Sequence, residues 1–365
     1  MNDKTPPSQS TGSCCGTVTS QPDTPAKTCG CSGQAGKHPA PVIRQTRSEI
    51  TAKNRLDHFL ARWGVNRSGH IVPPGLYRLG NPDKNSPVFA SANYTLSFDA
   101  LRSALANRDA WILVLDTKGI NVWCAAGKGT FGTGELIRRI AVTGLSDIVA
   151  HRRIIVPQLG APGISAHEVA RYAGFSVEYG PVRAADLPAY LTTHTATEEM
   201  RTVRFGLFDR LVLAPMELVH FGLYGIVAAL VLFFLAGVVA ALAAITAVLA
   251  GTVLFPALLP VLPSKDFSLK GFFLGAIVAI PFALACARAP GPAGIAQAIA
   301  VLVPFLLIPP VVAYLGLNFT GSTTFTSRTG VKKEIFRYVP AMVVLAGLGT
   351  VLGIALGVLR LLGAA

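Results

Sequence analysis

The sequence predicts two unlike parts: an α/β doubly wound domain over residues 45–212, then an all-α transmembrane domain of five helices over residues 213–365. Three observations carry this expectation. Charged residues are frequent up to Asp209, whereas no Asp, Glu, Lys or Arg lies between Glu217 and Lys265. A bilayer-crossing helix takes roughly 20 apolar residues, so this gap has room for two spans. Further charge-poor stretches lie between Lys270 and Arg288, between Arg288 and Arg328, and between Arg337 and Arg360, each with room for one more. In the charged part, apolar strand-like runs alternate with helix-like segments, the pattern of a sheet covered by helices on both faces.

Residues 1–44 come first and read as a disordered tail. They are rich in Ser, Thr, Pro, Gly and Gln with almost no large apolar side chains, and cannot bury enough surface to offset ordering entropy. The opening MNDKTPPSQS has no apolar run behind its charges, so it is not a signal peptide. The tail nevertheless holds Cys14, Cys15, Cys29 and Cys31. Their spacing fits no zinc or iron–sulfur pattern, and a cytoplasmic tail is not expected to form disulfides. Two close thiol pairs could capture a soft metal ion; the alternative is a variable tail without that role.

From Thr46 the pattern becomes globular. SEITAKNRLDHFLARWGV reads as an amphipathic helix opened by Ser48, with Ile50, Leu56, Phe59 and Leu60 at helical spacing. PGLYRLG and PVFASANY read as short strands parted by the turn-rich GNPDKNS. SFDALRSALA is a helix capped at Ser97, and WILVLDT (111–117) is a continuous apolar run of the kind found in buried parallel strands. After a short stretch considered below come a helix in GELIRRIAVTG, a strand in RRIIVPQ, a helix in SAHEVARYAG and a strand in FSVEYG. Ligands are expected beyond the carboxyl ends of such strands.

The five spans are placed near 217–236, 239–260, 269–287, 295–315 and 339–360, with the first turn at Gly237. With the N-terminal part inside, the inner loops carry Lys265, Lys270, Arg328, Lys332, Lys333 and Arg337, and the outer side only Arg288 and Arg360. This positive-inside bias predicts a multi-pass protein of the inner (cytoplasmic) membrane with a cytoplasmic N-terminal domain. The net charge of +13 is accounted for by orientation and by attraction to anionic lipid headgroups. Lys and Arg do not cluster with aromatics on one face, so no nucleic-acid partner is expected.

GINVWCAAGKGTFG (119–132) follows the end of WILVLDT and holds Cys124. GKGTFG satisfies G-x-G-x-x-G, but its glycines begin ten residues after that strand, and the next strand carries no closing acid. A dinucleotide reading is weak on both counts. If Asn121 instead caps a short helix, Val122, Trp123 and Cys124 form its first turn and the Asn side chain can accept from the Cys124 amide. A thiol there lies at the positive end of the helix dipole, with Lys128 one turn on, and both favour thiolate. Ala125, Ala126 and Gly127 remove side-chain bulk, leaving a soft sulfur on a bare surface that could meet a large flat ligand. A buried structural cysteine and a catalytic cysteine served by His151 or His167 remain alternatives.

At Asn121-Val122-Trp123-Cys124-Ala125-Ala126-Gly127-Lys128 the sequence closely resembles the mercury-methylating corrinoid protein (HgcA) family. The motif is long and includes the rare residues Trp and Cys. The order of a corrinoid domain before a five-span membrane domain agrees, so the resemblance covers about residues 46–365. NFTGSTTFTSRTGVKKE (318–334) is also similar to a segment of the large subunit of the corrinoid iron–sulfur protein of acetyl-CoA metabolism. The D-x-H-x-x-G motif that supplies a histidine ligand in many corrinoid proteins is missing.

The resemblance implies a cytoplasmic corrinoid-binding domain with a cobalamin-type cofactor and Cys124 as the lower axial ligand of cobalt. Residues 121–128 would form a cap helix under the macrocycle, with Asn121 and the Thr130 hydroxyl as further contacts. The implied activity is a corrinoid-dependent methyltransferase, passing a methyl group from methyl-cobalt(III) to mercury(II). Mercury(II) is an electrophile and must receive the methyl with its bonding electrons, or as a radical plus an electron; a thiolate below cobalt(III) weakens cobalt's hold on it. Implied partners are a methyl donor, such as methyltetrahydrofolate or a corrinoid methyltransferase, and a small ferredoxin-like protein with two 4Fe-4S clusters as electron donor. The tail cysteines would then be candidates for mercury capture.

The membrane region is expected to anchor the protein in lipid. Its spans hold Gly and Ala for close packing and the prolines Pro256, Pro260, Pro281, Pro304, Pro309 and Pro310, with Glu217 and His220 at the entry of the first span. Cys286 reads as a small apolar residue facing a neighbouring helix, with mercury relay as the alternative. Two other functions compete: a corrinoid methyl carrier serving another acceptor, and a membrane protein with a nucleotide-binding sensor domain. The second has no use for Trp123 or Cys124.

Overall fold

The computed structural model describes residues 42–66, 68–289, 294–323 and 326–362. The tail and its Cys14, Cys15, Cys29 and Cys31 lie outside the described residues, as do Thr324 and Phe325 of the 318–334 segment. The elements run β1 (Ile43–Thr46), α1 (Ala52–Arg62), β2 (Gly75–Leu79), β3 (Val88–Ala92), α2 (Thr95–Ala104), β4 (Ala110–Leu115), α3 (Val122–Lys128), α4 (Thr133–Val142) and α5 (Leu145–Ile148). Then come β5 (Arg153–Val156), a 3-10 turn (Gln158–Gly163), α6 (Ala166–Ala173), β6 (Ser176–Tyr179), α7 (Leu187–Thr193), α8 (Glu198–Arg201) and α9 (Leu207–Leu211).

The strands form one six-stranded sheet in the order β1-β2-β4-β3-β5-β6. Every residue of β4 is buried, as its apolar run requires when helices cover both faces. Its side chains alternate between two cores. Trp111, Leu113 and Leu115 pack with Leu136, Ile140 and Val169, whereas Ile112 and Val114 pack with Phe98, Leu101, Leu187 and Tyr190.

The sheet is mixed. β3 to β6 are parallel to one another and to β4, but β2 runs antiparallel to β4, with β1 parallel to β2 at the edge. The doubly wound arrangement therefore holds for the β4-β3-β5-β6 part, and the β1-β2 edge is added in the opposite direction. β1 begins at Ile43, inside the stretch read as tail. α1 is capped by Thr51 and not by Ser48: the Thr51 hydroxyl accepts from the Asn54 amide, and the Asn54 side chain accepts from the Thr51 amide. α2 starts at Thr95, so Ser97 is inside it rather than at its cap.

Five helices are long and apolar enough to cross a membrane, which supports a membrane protein. These apolar stretches are Leu207–Ala236, Val238–Leu258, Phe267–Arg288, Ile295–Ser322 and Thr329–Leu359, each overlapping one expected span. The helices themselves are α10 (Ala214–Ala236), α11 (Val238–Leu249), a π-helical turn (Ala250–Leu254) leading into α12 (Phe255–Leu258), α13 (Phe267–Arg288), α14 (Ile295–Phe319) and α15 (Arg328–Leu361). Gly237, at φ +86°, breaks the chain between α10 and α11. Pro256 follows the π turn, where its missing N–H interrupts the helical ladder. α13 and α14 pack backbone to backbone: a Cβ added at Gly271 would lie 2.4 Å from Ala313 Cα, and one at Gly275 would lie 2.5 Å from Pro309 Cα.

Candidate functional site

The parallel strands β3, β5 and β6 end at one edge of the sheet, and a cavity of about 370 Å³ opens there. Ser91, Pro157 and Gly180 from the strand ends form its floor, α2 contributes Leu96 and Ala100, and Asn121 and Trp123 form part of its wall. Among the described residues its lining includes no Asp, Glu, Lys, Arg or His. It suits an uncharged or apolar group rather than a phosphate.

α3 is built at the mouth of this cavity as a seven-residue helix. Asn121 is its N-cap, and its side-chain oxygen accepts from the Cys124 amide at 2.9 Å. Gly129 ends it in the left-handed conformation, φ +80°, where its N–H reaches the Ala125 and Ala126 carbonyls. Val122, Ala125 and Ala126 face the core, whereas Trp123 and Cys124 are half-buried and Gly127 and Lys128 are exposed. A Cβ built on Gly127 meets nothing within 4 Å, so the surface beside Cys124 is bare. Thr130, half-buried just beyond the helix, turns its hydroxyl back to the Ala125 carbonyl at 3.4 Å.

The helix is held from behind. The 3-10 turn presses on it so closely that a Cβ at Gly163 would lie 2.2 Å from the Phe131 carbonyl and 3.1 Å from Ala126 Cα. Its entry loop is fixed by Asn93, a residue the sequence reading missed. The buried Asn93 side-chain oxygen accepts from the Thr117 amide at 3.0 Å, the Thr117 hydroxyl at 2.8 Å and the Gly119 amide at 3.0 Å. This holds Lys118 and Gly119 at φ +58° and +70°, which turns the chain from β4 into the cap. A signal existed: Asn93 ends β3 one strand away from the Thr117 turn, at the edge where ligands are expected.

The alternatives fare less well. The three glycines of G-x-G-x-x-G fall within α3, at its C-cap and at the N-cap of α4, so they form no loop between strand and helix. Cys124 is half-buried rather than a core residue. His151 bonds the Ser86 carbonyl and the Arg153 amide, and His167 faces the Ser165 hydroxyl. Among the described residues, neither makes a hydrogen bond with Cys124. Among the described residues no three His, Cys, Asp or Glu side chains gather as a metal site.

Comparison with known proteins bears on this same region. Residues 66–189 match the family model described as CdhD, the CO dehydrogenase/acetyl-CoA synthase delta subunit. The sheet domain is similar to the CdhD family. The acetyl-CoA decarbonylase/synthase complex subunit gamma of Methanopyrus kandleri is 37% identical over 128 residues, covering 34% of this chain and 27% of that protein. The corresponding subunits of Methanocaldococcus jannaschii and Methanothermobacter thermautotrophicus are 39% identical over 97 residues and 32% identical over 127 residues. In the first of these the match takes in 26% of this chain and 20% of the relative, and in the second 34% and 27%. The chain thus spans about a quarter of the length of the curated relatives it matches. The CdhD match includes β2 to β6 and α3 and stops before the five apolar helices.

Proposed function

We propose that the protein is a membrane-anchored, corrinoid-dependent methyltransferase with mercury(II) as acceptor and methylmercury as product. The observation that carries this reading is the Asn121-capped turn that holds Cys124 half-buried, next in sequence to Trp123, which lines an uncharged cavity, within the residues that match CdhD. When bound, the corrinoid supplies a cobalt centre that accepts a methyl group and gives it up. The residues present fit such a group: a half-exposed sulfur, an open surface over Gly127 for a flat ring, and an apolar cavity beside Trp123.

In this reading Cys124 would hold the corrinoid's metal through its sulfur, and the electron density of a thiolate ligand would favour giving up a methyl group with its electrons to an electrophile. Asn121 fixes the first turn and thereby the place of the sulfur. Val122, Ala125 and Ala126 anchor the helix to the core, while Trp123, Gly127, Lys128 and Thr130 border the cofactor. The Lys and Arg residues flanking the apolar helices support an inner-membrane orientation with the sheet domain in the cytoplasm, where a methyl donor and a 4Fe-4S ferredoxin-like electron donor would reach it.

The similarity to acetyl-CoA decarbonylase/synthase subunits also favours a second reading, in which the same site carries methyl groups to another acceptor. Two measurements separate the possibilities. The purified full chain supplied with corrinoid should show a bound cofactor whose visible spectrum changes in Cys124→Ala; absence of corrinoid from the wild type sinks both readings. Cells carrying Cys124→Ala should lose methylmercury formation. Corrinoid binding with no methylmercury formed by the wild type leaves the second reading.

A further inference from the structure

α1 is amphipathic in the inverse sense. Asn54, Asp57, His58 and Ala61 are more buried than their neighbours; Asn54 closes the Thr51 cap, and Asp57 and His58 are tied to α2 and to the loop that follows α1. His58 Nε2 meets Asp99 Oδ2 at 2.8 Å, His70 Nδ1 meets Asp57 Oδ1 at 2.8 Å, and the Thr95 hydroxyl donates to Asp57 Oδ2 at 2.8 Å. The outward face is apolar. Leu56 and Phe59 are 59% and 54% exposed, and the Trp63 ring lies 5.6 Å from that of Phe59. Leu56, Phe59 and Trp63 follow the i, i+3, i+7 spacing of a single stripe. Exposed Arg55 and Arg62 border it on one side and exposed Lys53 on the other.

A soluble domain would hide this stripe and turn Asp57 and His58 to water, so the arrangement implies a non-aqueous neighbour. Its position says which. Gly64, the second residue after α1, sits at φ +71° so close to α10 that an added Cβ would lie 2.9 Å from Met216 Sδ. Met216 precedes Glu217, after which the charge-free stretch begins. The stripe therefore adjoins the point where the chain enters its first apolar helix.

We propose that α1 lies in the membrane surface, with Leu56, Phe59 and Trp63 at the boundary of headgroups and acyl chains and Lys53, Arg55 and Arg62 against anionic lipid phosphates. Lipid is the occupant that the flanking cations, the Trp–Phe pair and continuity with α10 select together. The proposal rests on the apolar helices crossing a bilayer and is independent of the methyl-transfer reading. It also gives α1 a consequence for the site. Thr95 and Asp99, its partners on α2, each immediately precede a residue that lines the cavity, Leu96 and Ala100. The bilayer thus sets the height at which the cavity is held.

The test uses the full chain in lipid nanodiscs, taking the Trp63 emission as the difference between wild type and Trp63→Phe. Lipids brominated near the headgroup end of the acyl chains should quench that emission roughly twofold, and aqueous acrylamide should not. The quenching should be stronger with phosphatidylglycerol than with phosphatidylcholine, and should fall in the Arg55→Glu/Arg62→Glu variant. Quenching by acrylamide alone means that the stripe faces water and overturns the proposal. Protection from both quenchers means that protein covers the stripe, whether the tail, a second copy or a partner, and overturns it equally. Lipid quenching that is unchanged in the double variant removes the cations from the account.

Discussion

The sheet domain and the five-helix region satisfy their buried polar groups in different ways, and the contrast separates what positions the site from what holds the anchor. In the sheet domain a buried side chain organises a loop: Asn93 gathers Thr117 and Gly119 and sets the turn into α3. In the helical region buried side chains close helix ends. Glu334 on α15 accepts from the Phe267 and Ser268 amides at 3.2 and 3.0 Å and from the Ser268 hydroxyl at 3.0 Å, capping α13. Arg210 donates to the Pro256 and Ala257 carbonyls at 3.1 and 3.2 Å, where α12 runs out. The Glu217 carboxylate accepts from Asn318 and Ser322 at the end of α14. These contacts gather at the end where the sheet domain joins, where the helix ends leave backbone groups without intrahelical partners.

The sharpest way to break the contrast is Glu334→Ala. It leaves two amides and a hydroxyl in a buried place without their acceptor, which should cost roughly 3–5 kcal/mol. Thermal unfolding in detergent should show a large loss in the helical region, while corrinoid binding by the protein that remains folded is unchanged. Glu334→Gln keeps one carbonyl oxygen and should recover about half of the loss. A loss equal to that of Ala would mean that charge rather than hydrogen bonding carries the effect.

Asn93→Ala is the sheet-domain counterpart and should cost less, roughly 2–3 kcal/mol, since Thr117 keeps the Ile120 carbonyl as a partner at 2.7 Å. Its larger consequence is local. Amide exchange should rise from Thr117 to Cys124 and corrinoid binding should weaken, with the helical region unaffected. If exchange in α3 stays at the wild-type rate, the cap at Asn121 alone holds the helix.

Much of this was legible in the sequence for reasons that can be stated residue by residue. WILVL is apolar throughout and could only be a buried strand, and Asn121 three residues before Cys124 is a capping arrangement that needs no tertiary information. The charge-free runs gave the five helices because bilayer thickness fixes their length. The antiparallel β2–β4 pairing was not legible, since strand direction is set by partners distant in the chain. β1 has three polar residues in four and exists through its pairing with β2. Glu334 looks like a solvated acid after Lys332 and Lys333, and only the approach of α13 reveals it as a cap. In α1 the apolar period was readable but its direction was not, because Asp57 and His58 earn an inward place only through His70, Thr95 and Asp99.

The smallest expected effect concerns that same inward face. Both ring nitrogens of His70 face acceptors, Nδ1 the Asp57 carboxylate and Nε2 the Val65 carbonyl at 2.7 Å, an arrangement that favours the doubly protonated ring. Burial opposes the charge, but the two hydrogen bonds and the Asp57 carboxylate outweigh it, and the His70 pKa is raised above 6.5. Burial likewise opposes ionisation of Asp57, and the bonds from Thr95 and His70 with the histidine charge outweigh it, so its pKa is lowered below 3.8. A raised histidine stabilises fully below its unfolded value and loses that contribution as pH rises through its folded value; a depressed carboxylate loses its contribution as pH falls through its own. The clasp between α1 and its following loop is therefore strongest between the two unfolded values. Once the base-catalysed rise of the intrinsic exchange rate is divided out, raising the pH from about 6 to about 8.5 should lower the protection of amides in α1 and the loop to His70, and His70→Gln should remove that loss. α3, held by Asn121 and the 3-10 turn without a histidine, should exchange with no such step, so a parallel step in α3 would show that the clasp reaches the site through α2.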